Sequence, residues 1–312
     1  VSWAASWRLP AILLLLLPAC AGTARAAETT PRFLVYYNAD VTPARALAEL
    51  PYTHVVLAFL TPRVAADGTV SVATDPRIVA ALQAAGKRVL VSFGGGDAKM
   101  ADYKPLVGRE TELAKAIAGF VRLHGLDGVD IDFEVSETLE TQPPAAAFDG
   151  RAVLIALTRA LRRELGAAAL LSHAPEPPFL DPAWHGGPYL EVLKAAGTAI
   201  DWIVVQYYNN AGFDDPLAVR DGKPAPGSYA AVAAGQPDVP WSPAKTLLGK
   251  PIYKADAENG HVAPRRLRDH LVAPLVTRYG KRFGGLAGWQ FSTHTADHRF
   301  WNREMAPALG LD

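Results

Sequence analysis

The sequence predicts a single (β/α)8 barrel, and three observations lead there. Short apolar runs recur along the chain with continuous, not alternating, hydrophobicity, as in strands buried on both faces. Between many of them lie stretches whose apolar residues return every three or four positions, the helical period. Strand and helix alternate about eight times over roughly 280 residues, which is the pattern and size of one barrel domain.

The first strand is expected at "RFLVYYN" and the second at "HVVLAFL". An open doubly wound sheet, the competing arrangement, would carry a Gly-rich phosphate-binding turn after its first strand, and "VYYNADVTP" has none. A helix over "DPRIVAALQAAGKR" opens on Asp75-Pro76, a start signal, and leads into the third strand, "RVLVSFGG". "RETELAKAIAGFVRLHG" is the next helix, closed by Gly125, followed by the strand "GVDIDFE" and the helix "FDGRAVLIALTRALRREL". "ALLSHAPE" and "WIVVQYYN" supply the fifth and sixth strands. The Pro- and Gly-rich stretch 209–244 reads as an extended loop with one short helix. "TLLGKPIY", the helix "PRRLRDHLVAPLVTRYG" ending at Gly280, and "GLAGWQF" complete the barrel.

The 312 residues are 50% hydrophobic and can fill a sizeable core. Basic and acidic residues balance at 31 each without a dense basic cluster, so no nucleic-acid footprint is indicated. "VSWAASWRLPAILLLLLPACAG" has a positive charge, an apolar run and a small-residue end, the make-up of a secretory leader, which assigns residues 1–26 to the leader and 27–312 to the barrel. The apolar run is shorter than the ~20 residues that span a bilayer, so no transmembrane span is expected in the mature protein. Cleavage after "ARA" would release the protein to the periplasm or medium; Leu17-Pro18-Ala19-Cys20 also resembles a lipobox that would lipidate Cys20. Cys20 is the only cysteine, so the mature domain has no intrachain disulfide and must be held by its core. A monomer needing neither metal nor cofactor is expected.

The fourth strand is unusual. Residues two apart share a face, so Asp130, Asp132 and Glu134 point together while Val129, Ile131 and Phe133 point the other way. Carboxylates wedged between strand and helices would be badly desolvated, so these three must line the lumen, with Glu134 at the C-terminal mouth. Crowding them there penalises full ionisation, and a retained proton makes a general acid. Asp127 is out of step and is expected to brace the preceding turn. The same alternation sets Gln206 and Tyr208 on one face of the sixth strand, with Asn209 at its end.

"DGVDIDFE" resembles the D-x-x-D-x-D-x-E signature of glycoside hydrolase family 18, the chitinase family. "VSFGG" is similar to the family's S-x-G-G on the third strand, through Ser92, Gly94 and Gly95, and "QYYN" to its Q-x-Y-N on the sixth. Trp289 falls where the family keeps a tryptophan beneath the sugar. The resemblance implies hydrolysis of β-1,4-linked N-acetylglucosamine chains, endo-acting and retaining, with the sugar's own acetamido oxygen as nucleophile. It assigns Glu134 as the acid and Asp132 as acceptor of the acetamido N–H. Asp130 would share a proton with Asp132, and Tyr208 would donate to the acetamido carbonyl. It further implies non-proline cis peptides at Ala58-Phe59 and Trp289-Gln290.

Gln206, Asn209, Trp289, Tyr36 and Glu176 are candidate sugar contacts, with Tyr36 offering a ring face and Glu176 following the fifth strand. Ser92, Gly94 and Gly95 are expected to serve packing. His294 and His298 have helical spacing without H-E-x-x-H and are read as surface or capping residues, and His173 as a satisfied core histidine. Two other functions fit the residues: an endo-β-N-acetylglucosaminidase acting on the chitobiose core of N-glycans, and a non-catalytic sugar-binding protein on the same barrel. The intact acid argues against the second.

Overall fold

The computed structural model describes residues 31–38, 44–63, 68, 70–72, 76–213, 215–221, 226–235, 238–291 and 295–311. The expected leader with Cys20, and also Asp75 and His294, lie outside the described residues. Among the described residues, eight parallel strands close a barrel in sequence order: β1 (Arg32–Asn38), β2 (His54–Leu60), β3 (Arg88–Gly94), β4 (Gly128–Asp132), β5 (Leu170–His173), β6 (Trp202–Gln206), β7 (Thr246–Pro251) and β8 (Gly285–Phe291). The doubly wound alternative is thereby excluded. No helix among the described residues is long and apolar enough to cross a membrane.

Helices cover the barrel because each carries one apolar stripe. The helix Glu110–Leu123 buries Leu113, Ile117, Phe120 and Val121, and Gly150–Leu165 buries Leu154, Leu157 and Leu161. Asp149 caps the latter by accepting the amides of Arg151 and Ala152. The expected helix over 264–280 forms with a π turn at Arg268–Val272, just ahead of Pro274. Pro274 has no N–H for the carbonyl of His270, which accepts a hydrogen bond from Arg220 instead (3.3 Å). Among its described residues the 209–244 stretch holds two short α-helices, Pro216–Asp221 and Tyr229–Ala234, where one helix is expected.

Two apolar cores result. The larger lies between strands and helices, and a smaller one, including Leu34, Val56, Leu90, Leu170, Trp202 and Leu247, fills the lower lumen. The upper lumen opens into a cavity of about 480 Å³ at the C-terminal ends of the strands. His173 points outward from β5, between the Tyr189 hydroxyl (2.7 Å) and Thr158 Oγ1 (3.1 Å). Burial pushes its pKa down to about 3, so it is a neutral core residue, as expected. His298 departs from the surface reading: it is buried against Phe291 and Tyr253.

Asp127 braces a strand. Its Oδ2 accepts the amide of Val89 (2.8 Å) and the Gln83 side chain (2.9 Å), while Oδ1 meets Arg88 (2.9 Å). These bonds fix where β3 begins relative to β4. Asp127→Ala is therefore expected to lower unfolding free energy by about 2 kcal/mol, read as a lower urea midpoint with an unchanged slope.

Candidate active site

Register places the acids. In the ladder Ser92 of β3 lies level with Asp130, and Asp130 with Ser172 of β5, so two hydroxyls flank one carboxyl. Asp130 is 0% exposed; its Oδ1 accepts from Ser172 (2.6 Å), and its Oδ2 from Ser92 (2.8 Å) and the Tyr36 hydroxyl (3.1 Å). Burial raises its pKa while those three donors pull it back. Ser92 thus does more than pack, and Ser172, absent from the sequence-based candidates, matches it from the other side. Its serine could be recognised only once the strand register was known.

Asp132 sits one step higher, with Glu134 just beyond the strand, and both line the cavity. Burial, then the charges of Glu134 and Asp130, hold Asp132 well above the carboxylate range, and a hydrogen bond to Glu134 adds to this. Crowding of the three acids thus tells most on Asp132, the middle one, whose carboxyl also bonds toward Glu134. Gln206 Nε2 joins the group from β6, donating to Asp132 Oδ1 (2.9 Å), Glu134 Oε1 (3.3 Å) and the carbonyl of Ala174 (2.8 Å). Tyr208 also faces the cavity, and burial together with the carboxylates of Asp132, Glu134 and Glu176 keeps its hydroxyl protonated.

The third strand leaves room by omitting side chains. A Cβ on Gly94 (φ +111°) would lie 2.1 Å from the carbonyl oxygen of Asp132, and one on Gly95 (φ +91°) would lie 2.9 Å from the Phe59 ring. The amide of Gly95 in turn donates to that Asp132 carbonyl (2.8 Å).

Trp289 forms an aromatic wall, with Phe59 at 5.7 Å and Tyr36 edge-on at 5.9 Å between ring centroids. The Ala58-Phe59 and Trp289-Gln290 peptides are both cis, as the resemblance implied. Tyr36 is 3% exposed and spends its hydroxyl on Asp130, so it supports the site from beneath and does not offer a ring face. Asp256, a further residue outside the sequence-based candidates, accepts the Trp289 indole N–H on its carbonyl (3.1 Å) and the amides of Tyr253 (2.9 Å) and Gln290 (3.3 Å) on Oδ2.

Asn209 lines the cavity with its backbone left-handed (φ +55°), and its Oδ1 accepts the amide of Glu258 (2.8 Å). It is the next residue, Asn210, that bonds Glu176 and the carbonyl of Tyr208 (2.8 Å). Glu176 is half-buried outside the cavity lining; burial, then the charge of Glu134, raises its pKa to about 7. Together these groups set carboxyls beside an aromatic wall in a cavity of about 480 Å³, the means for protonating a leaving oxygen.

Comparison with known proteins agrees with this geometry. The profile of "Glycosyl hydrolases family 18" matches residues 32–272. A GH18 chitinase of Pseudoalteromonas aurantia superposes with a TM-score of 0.78 at 31% identity, covering 89% of this chain and 100% of that one. A chitinase of Enterococcus faecalis is 32% identical over 43% of this chain and 36% of its own length. Chitinase D of Niallia circulans is 26% identical over 62% of this chain and 41% of its own, so the chain spans well under half the length of these two relatives. With the profile matching most of the chain and a solved relative aligned across nearly all of it, the chain belongs to the glycosyl hydrolases of family 18.

Proposed function

We propose that the protein is a secreted or periplasmic endo-chitinase that cleaves β-1,4 bonds between N-acetylglucosamine units with retention, using the substrate's acetamido group as nucleophile. The observation that carries this reading is the stack of Asp130, Asp132 and Glu134 rising into one cavity that Tyr208 and Trp289 also line. An acetamido nucleophile removes the need for a second carboxylate at bonding distance from the anomeric carbon, so the protein must supply an acid and a means of aiming the acetamido group. Glu134, outermost, protonates the leaving oxygen. Asp132 accepts the acetamido N–H and stabilises the cationic oxazolinium, and Tyr208, held protonated, donates to the acetamido carbonyl.

The raised pKa of Asp132 gives this scheme a source for its proton. The Asp132 carboxyl is hydrogen-bonded toward Glu134, and Asp130 below, with three hydroxyl donors, can carry the negative charge. As Asp132 turns its attention to the acetamido group, Glu134 takes up the proton it must deliver. Trp289 supplies an apolar face for the ring. Among the described residues lining the cavity, Thr61, Arg63 and Asp97 are exposed, a rim along which a sugar chain could continue, which supports internal cleavage.

Glu134→Gln should lower kcat on a chromogenic chitooligosaccharide by about 10²–10⁴-fold with the circular dichroism spectrum unchanged; turnover near that of the parent enzyme would refute the acid assignment. Proton NMR in the first minutes of hydrolysis should show new β-anomer, and fully deacetylated chitosan should resist cleavage. An initial α-anomer would remove the acetamido route. Among chitooligosaccharides, peptidoglycan and a high-mannose glycopeptide, the first should be cut fastest; preference for the glycopeptide would move the activity to N-glycan cores.

Raising that pKa also has a cost in stability. Asp132 has an ordinary pKa of 3.8 that the fold raises well above that value. A carboxyl raised on folding subtracts stability above its unfolded pKa and nothing below it, where both states are protonated. Asp132→Asn is thus expected to raise Tm at pH 7 by about 2–6 °C while kcat falls, and the gain should vanish as pH drops through about 4. A constant Tm difference across that range would contradict the raised carboxyl.

A further inference from the structure

β7 lies beside the candidate site, yet none of the described residues lining the cavity belongs to it. Its most unusual member is Lys250, a lysine that is 0% exposed. The Nζ of Lys250 donates to the carbonyl of Tyr207 (2.6 Å) and to that of Gly260 (3.0 Å). Burying an ammonium is costly unless its donors are used, and apolar residues of similar volume often serve packing as well. The contacts it makes are therefore informative.

They fall where the backbone of β6 leaves the strand. The strand ends at Gln206; beyond it the amide of Tyr207 is shared between the carbonyls of Val205 (3.1 Å) and of Gly249 on β7 (3.2 Å), and that of Tyr208 turns back to Gln206 (2.8 Å). Asn209 then adopts its left-handed backbone. The carbonyl of Tyr207 goes to Lys250, and that of Tyr208 to Asn210 Nδ2 at 2.8 Å. Gly260 presses on the same segment from outside: a Cβ there would lie 2.6 Å from the Tyr208 Cα. Lys250 holds both sides of this contact with one ammonium group, and Asn209 Oδ1 adds a third link through the Glu258 amide (2.8 Å).

We propose that Lys250 is a positioning residue that sets the Tyr208 hydroxyl at the cavity wall, by clamping the residue before it against the 258–260 segment. It touches no substrate; it acts through the backbone. The inference rests on the role given to Tyr208 in the proposed reaction, where a tyrosine displaced by about 1 Å would misdirect the acetamido group and slow the chemical step more than binding.

Lys250→Met keeps the volume and removes the donors, and should lower kcat on chitooligosaccharides by about 10–100-fold with KM changed less than about twofold. The Tyr208→Phe, Lys250→Met double variant should be no slower than Tyr208→Phe alone; losses that multiply would overturn the proposal. Lys250→Gln, which keeps a donor, should fall between the parent and Lys250→Met, and it serves alone if the methionine variant does not fold. A readout free of substrate comes from tyrosine labelled with carbon-13 at Cζ. The Tyr208 resonance, assigned with Tyr208→Phe, should shift or broaden in the Lys250 variants while that of Tyr36 stays, and an unmoved Tyr208 resonance overturns the proposal whatever the activity. If that resonance moves while Tyr208→Phe leaves kcat intact, the clamp stands and the reading of Tyr208 in the reaction falls.

Discussion

A carboxyl group shut away from water must be answered by donors or by a proton, and Asp130 imposes that condition at the centre of the barrel. Three hydroxyls, from β1, β3 and β5, converge on it, so the registers of those strands are tied to one side chain. Asp132 above it has fewer donors, and burial raises its pKa well above the carboxylate range. Gln206 then reaches across from β6 to join Asp132 and Glu134. The site is in this sense a solution to a desolvation problem that a run of acids on a parallel strand creates.

What surrounds the acids divides into parts that make contacts and parts that withhold them. Gly94 and Gly95 withhold side chains so that β4 and the Phe59 ring can come close. Asp256 secures the Trp289 indole and the amide of Gln290, acting from the loop after β7. Neither kind touches the cavity chemistry directly, yet both decide where the reacting groups stand. The glycines belong to the motif that resembles the family's S-x-G-G, whereas Asp256 lies outside the motifs the sequence offers.

The parts of this arrangement that depend on one strand's periodicity were legible in the sequence. The two-residue repeat set Asp130, Asp132 and Glu134 on one face, the cost of desolvation chose the lumen, and the same repeat separated Tyr208 from Tyr207, whose hydroxyl bonds the Gly227 carbonyl on the outer side. Ser172 was not legible, because its meaning depends on a register between strands that lie some forty positions apart in the chain. The place of Tyr36 is hidden from the sequence for a related reason: nothing in "RFLVYYN" tells that Trp289 lies over it. Asn210, not Asn209, takes up the carbonyl of Tyr208 because the left-handed turn at Asn209 breaks the alternation. His298 was read as exposed since its burial comes from Tyr253 and Phe291, residues of other elements.

The apolar plug in the lower lumen has a consequence for traffic. Leu34, Leu90, Leu170, Trp202 and Leu247 stop the barrel from beneath, so hydrogen ions and solvent approach Asp130 from the open end. Whatever fills that end stands in the doorway, and once it is seated, the acids can trade charge with it and with one another but scarcely with the bulk. Among the described residues, the way to the acids thus runs through the end of the barrel that the cavity occupies.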